Sequence, residues 1–61
     1  MADVEKRTEQ KRMLIALYEV YMALDAEGII CQVLNDKIRN QKLEMNPEDV
    51  SYIKEGLGIR N

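Results

Sequence analysis

The stretch Met13–Leu24, MLIALYEVYMAL, carries a single charged residue, Glu19, in a chain of only 61 residues. So much apolar surface must be covered by something. A chain this short buries only about 60% of its unfolded surface, which leaves its stability marginal without help. The usual supplements are disulfides, a structural metal or oligomerisation. Cys31 is the one cysteine, so the chain can form no disulfide within itself, and histidine is absent. Zinc sites draw on several Cys or His side chains, so no metal and no other cofactor is expected. Oligomerisation or a partner is left.

No Gly or Pro interrupts the chain between Val4 and Ala26, and Glu, Lys, Arg, Leu, Met and Ala dominate there. These residues predict a first helix over 4–26. Gly28 is placed to end it in the left-handed conformation that follows many helices. Drawn as a wheel, the helix has Leu14, Leu17, Tyr18, Tyr21 and Leu24 along a central stripe. Met13 and Val20 widen it on one side, Ile15 and Met22 on the other. The apolar arc covers roughly 220°, against the 100° or so that a surface helix needs to pack on one core. Ala16 and Ala23 form a strip of small residues where another helix could come close, and Glu19 is expected to face solvent or sit at an interface edge.

A second helix is expected over 29–41, with Ile30, Val33, Leu34 and Ile38 as its apolar stripe at three- and four-residue spacing. The third, over 47–55, has the clearest start signal. In MNPEDV, Asn46 is the N-cap and Pro47 takes the first helical position, where its missing N–H costs nothing. Glu48 and Asp49 set negative charge in the first turn, favourable against the helix dipole. Met45 and Val50 stand at the positions of a hydrophobic staple. Val50, Ile53 and Leu57 give the buried side, and Gly56 is expected to close the helix.

The fold class is therefore all-α: one small domain, 1–61, in which the first two helices form an antiparallel hairpin and the short capped third packs across its open end. Helices two and three can cover the central stripe of helix one but not both its flanks. This predicts a homo-oligomer, a dimer by preference. The expected interface residues are Ile15, Met22, Tyr18, Tyr21 and Val20, with the Ile15/Met22 flank as the contact surface rather than core.

Enzyme chemistry fails on inventory. With no His, one Ser (Ser51), one Thr (Thr8) and one Cys, nucleophile–base pairs cannot be assembled. Nine basic residues against eleven acidic give a net charge of −2, whereas nucleic-acid binders show a strong basic footprint. Lys37, Arg39 and Lys42 are the residues that could touch phosphates or an acidic partner. Met13–Leu24 falls well short of the roughly 20 apolar residues that cross a bilayer. No membrane span is expected, and the lone cysteine with no signal-like start points to the cytoplasm.

Two stretches carry family resemblances. IRNQKLEMNPEDVSYIKEGLGI, about a third of the chain, resembles the end of a Cro/repressor-type helix-turn-helix domain, where a Pro-capped helix with a closing LGI follows the recognition helix. That resemblance implies a DNA-binding regulator. Counted from Gly28 as the turn glycine, however, Glu27 and Lys37 stand where the motif has apolar residues. MLIALYEVYMALDAEGIICQVLNDKIRNQKL is similar in length and in Leu, Ile and Tyr spacing to the helical hairpins of small bacterial regulators of the Sda type, which inhibit a sensor kinase. The present chain adds a third helix. The function expected is a non-catalytic interaction module of the bacterial or phage regulator type. It self-associates through helix one and binds or inhibits a protein partner. A compact DNA-binding transcriptional regulator is the alternative.

Overall fold

The computed structural model describes residues 2–59, with side chains from Val4 onward; the ends of the expected 1–61 domain lie outside the described residues. Three helices follow in order, α1 (Ala2–Ala26), α2 (Gln32–Leu43) and α3 (Pro47–Leu57), with no strand among the described residues. At about 1.5 Å per residue, the 25 residues of α1 account for the molecule's long dimension of 41 Å. Both shorter helices pack on α1.

Gly28 stops α1 as expected, at φ +73°. The amide of Gly28 reaches the carbonyl of Asp25 at 3.0 Å and that of Ile29 reaches Leu24 at 2.9 Å. This pair of bonds is the Schellman arrangement, which satisfies carbonyls the helix leaves open. It also explains why α2 starts at Gln32 and not at residue 29. The Ile29 amide is committed to α1, and two β-branched residues in a row, Ile29 and Ile30, are poor helix starters. Cys31 sits extended at the N-cap position and offers no side-chain cap. Its carbonyl takes the first helical bond, from Asn35, at 3.1 Å.

The later start corrects the second helix's apolar stripe. Leu34 and Ile38 are buried, whereas Ile30 and Val33 are 85% and 64% exposed. The inward line continues with Gln41, whose amide donates to the Gln10 carbonyl at 3.2 Å. Gln10 in turn donates to the Glu44 carbonyl, also at 3.2 Å. The end of α2 thus lies beside the first half of α1, and the hairpin is antiparallel. The helix runs on past residue 41 because Lys42 and Leu43 are good helix formers. It is closed by short-span bonds from Glu44 to Gln41 and from Met45 to Lys42, both 3.2 Å.

Asn46 caps α3: its side-chain oxygen accepts from the Glu48 amide at 2.9 Å. Met45 is buried and Val50 half-buried in one cluster, the positions of the expected staple. Gly56 does not close this helix. Gly58 does, at φ +75°, with the Ile59 amide on the Lys54 carbonyl at 2.9 Å. The two extra residues bring Leu57 onto the core.

That core is small. Leu14, Tyr18, Leu34, Ile38, Met45 and Ile53 are buried, and among the described residues Leu14 alone is fully enclosed. Leu17, Tyr21 and Leu24 pack against it half-buried, as does Ile15. No helix among the described residues is long and apolar enough to cross a membrane.

Candidate interaction surface

The expected interface residues do not share one surface. Tyr18 is only 4% exposed and belongs to the core. Ile15 packs against that core, which corrects its assignment to a free flank. The cause is α3. Arg7, Lys11 and Ile15 follow one another at four-residue spacing down one side of α1. Asp49 of α3 holds the first two, with Arg7 Nε at 2.7 Å and Lys11 Nζ at 3.9 Å, so α3 lies along the side that includes Ile15. Met22 is half-buried farther along, and Val20 is exposed with Met13 on the opposite flank. Ala16, Glu19 and Ala23 are exposed as well.

Tyr21 stands between two neighbouring depressions. The first is a groove of about 270 Å³ between α1 and α2, lined by Tyr18, Tyr21, Asn35, Ile38, Arg39 and Lys42. Its aromatic wall is an edge-to-face pair, with ring centroids of Tyr18 and Tyr21 6.4 Å apart at 81°. Burial, with Tyr21 adding to it, pushes the Tyr18 hydroxyl above its usual pKa. The second is a cleft of about 220 Å³ at the hairpin turn, where Leu24, Ile29, Ile30 and Leu34 give an apolar lining and Asp25 an acidic one. Tyr21 and Asn35 line both, which makes the two depressions adjacent.

Of the three basic residues singled out, Arg39 and Lys42 share the groove and Lys37 does not line it. Helical spacing is the reason. Residues 39 and 42 are three apart and face one side, while 37 and 39 are two apart and face away from each other. Arg39 touches Asp36 at 3.6 Å across the exposed surface. Asn35 is the groove residue that sequence reasoning passed over. Its polarity beside Leu34 was the available signal.

A second polar feature holds the fold rather than a ligand. Asp49 is buried and accepts from Arg7 Nε at 2.7 Å and Nη2 at 2.9 Å. The hydrogen bond from Arg7 holds the Asp49 carboxyl below its ordinary pKa and, in the same way, raises that of Arg7. Cys31 is half-buried, and no three side chains of the His, Cys, Asp and Glu types converge on a metal position among the described residues. Compared with protein-family models, curated proteins and solved structures, the chain has no match.

Proposed function

We propose that the chain is a small non-catalytic interaction module that docks on a protein partner through the turn end of its hairpin. The observation that carries this reading is the exposure of Ile29, Ile30 and Val33, at 52%, 85% and 64%, within one five-residue stretch. Burying a side chain of this kind gains about 1.5–3 kcal/mol, so leaving three in water forgoes a gain that a partner would recover. Regulation or inhibition of that partner suits a chain of this size, which acts by occupying a surface. The half-buried free Cys31 fits a reducing compartment such as the cytoplasm.

A protein partner is favoured over nucleic acid because Lys37 points away from Arg39 and Lys42, which leaves no three-cation cluster, and the net charge is −2. Self-association through α1 is a second reading, supported by the exposure of Met13 and Val20 seven residues apart beside Ala16 and Ala23.

The test compares native complexes isolated on the parent chain with those isolated on Ile30→Ser/Val33→Ser. A stoichiometric protein partner retained by the parent and lost by the double variant, at unchanged helicity, is the expected result. Equal recovery on both chains overturns the assignment of the turn as the docking surface.

A further inference from the structure

We propose that the groove between α1 and α2 binds an acidic peptide segment, whose carboxylates sit on Arg39 and Lys42 while a neighbouring apolar side chain lies against Tyr21, which the buried Tyr18 ring backs. The inference rests on the reading of the chain as a protein-interaction module and names the chemistry of its partner.

Charge is the first argument. The chain has more acidic than basic residues, yet no Asp or Glu lines this groove, while two cations do. Lys42 is half-buried and makes no ion pair with any described carboxylate; the pairs formed among the described residues are Arg7–Asp49, Lys11–Asp49 and Arg39–Asp36. A lysine at the groove wall that pairs with no described carboxylate is open to an incoming anion. The Arg39–Asp36 contact is long and exposed, of the kind that contributes little, so the guanidinium is easily redirected. Arginine can take a carboxylate through two parallel hydrogen bonds.

The walls give the second argument. Tyr18, Tyr21 and Ile38 supply an apolar and aromatic floor beside the cations, which suits a peptide better than a bare phosphate. Asn35 is half-buried at the junction with the turn cleft. Its amide can donate to and accept from a peptide backbone. The turn cleft carries Asp25, which repels a second carboxylate there and admits an apolar one. The segment is thus oriented, with acids over α2 and its apolar end toward Ile29 and Ile30.

The test is a titration of the full chain, followed by amide NMR, with a peptide of about ten residues that has Glu at one end and Leu at the other. Controls are the same peptide with Gln for Glu, and oligothymidylate of similar length. The Glu peptide is expected to shift the signals of Tyr21, Asn35, Arg39 and Lys42. Replacing Glu by Gln should weaken binding about tenfold, as should Arg39→Gln, the loss expected when a charge-assisted hydrogen bond goes. Arg39 is exposed, so the variant keeps its fold, and the dispersion of its spectrum checks this. Absence of shifts at millimolar peptide, equal binding of the Gln peptide, or tighter binding of the oligonucleotide overturns the proposal. Retention of a native partner by the parent and its loss from Ile30→Ser/Val33→Ser would leave the docking function standing while the acidic-segment assignment fell.

Discussion

Arg7 of α1 and Asp49 of α3, 42 residues apart in the chain, meet through two hydrogen bonds of 2.7 and 2.9 Å. Asp49 is the third residue of α3 after its cap. It serves the helix dipole from there, and its buried side chain reaches across to clasp α1. Lys11 stands 3.9 Å away as a second cation. The clasp fixes which side of α1 the third helix covers, and so which flank stays open.

The pH dependence of stability follows from this pair. Asp49 has a folded-state pKa below its unfolded one, chiefly because Arg7 donates to the carboxylate. Its contribution is therefore complete above the unfolded pKa, near 4, and is lost as pH falls through the lower folded value. Asp49→Asn should flatten the fall in the urea midpoint below about pH 4. Arg7→Lys should also lower the midpoint at neutral pH, because an ammonium cannot reproduce the two-pronged contact. If the acid limbs of parent and Asp49→Asn superimpose, the clasp is not what the acid breaks.

Asn46→Ala is expected to cost about 0.5–2 kcal/mol, the usual loss on removing an N-cap. The bond at stake is the 2.9 Å contact from the Glu48 amide to the Asn46 side chain. Asn46→Asp should retain most of the stability, since it keeps an acceptor oxygen. Chemical denaturation of both variants gives the comparison, and an unchanged midpoint for the alanine variant would count against the cap.

The three glycines separate by conformation. Gly28 and Gly58 have φ of +73° and +75°, whereas Gly56 lies inside α3 with open space where a Cβ would stand. Alanine at 28 or 58 should destabilise by about 1–2 kcal/mol. Alanine at 56 should stabilise by about 0.8–1 kcal/mol. Thermal melts of the three variants check both signs, and a loss at position 56 would be the contrary result.

What could be read from the sequence was what depends on near neighbours. The cap at Asn46, the stop at Gly28 and the inward stripe around Leu14 and Tyr18 each depend on residues within a turn or two. The sequence offers two glycines, Gly56 and Gly58, as the stop of α3, and the packing of Leu57 on the core goes with the later one. Ile29 and Ile30 fit an apolar helical period, so the sequence pattern places the start of α2 earlier than Gln32. Nothing local shows that the Ile29 amide is already engaged by Leu24. The Arg7–Asp49 clasp spans too much chain to leave a sequence signal. Of the groove, Arg39 and Lys42 were legible as a basic pair; their meeting with Tyr18, Tyr21 and Asn35 depends on the register of α2 against α1.

Self-association, if α1 supports it, should use the flank that α3 leaves open. Met13 and Val20 are both about half exposed and lie seven residues apart, so they stack on one side of α1 with exposed Ala16 and Ala23 nearby. Small residues between larger ones permit a second helix to approach closely. A two-fold pair, the commonest closed assembly, would bury this strip against its own copy. Met13→Ser with Val20→Ser is expected to convert a dimer into a monomer while helicity by circular dichroism stays the same. Ile15→Ser should act differently, lowering stability, because Ile15 packs on the core. Leu14→Ala, at a fully enclosed side chain, should cost about 2.7–5 kcal/mol and unfold so small a domain. Light scattering on the parent and the double variant decides the matter. A parent that stays monomeric at hundreds of micromolar, with cooperative unfolding, would end the self-association reading and leave Met13 and Val20 as solvent-exposed side chains of a monomer.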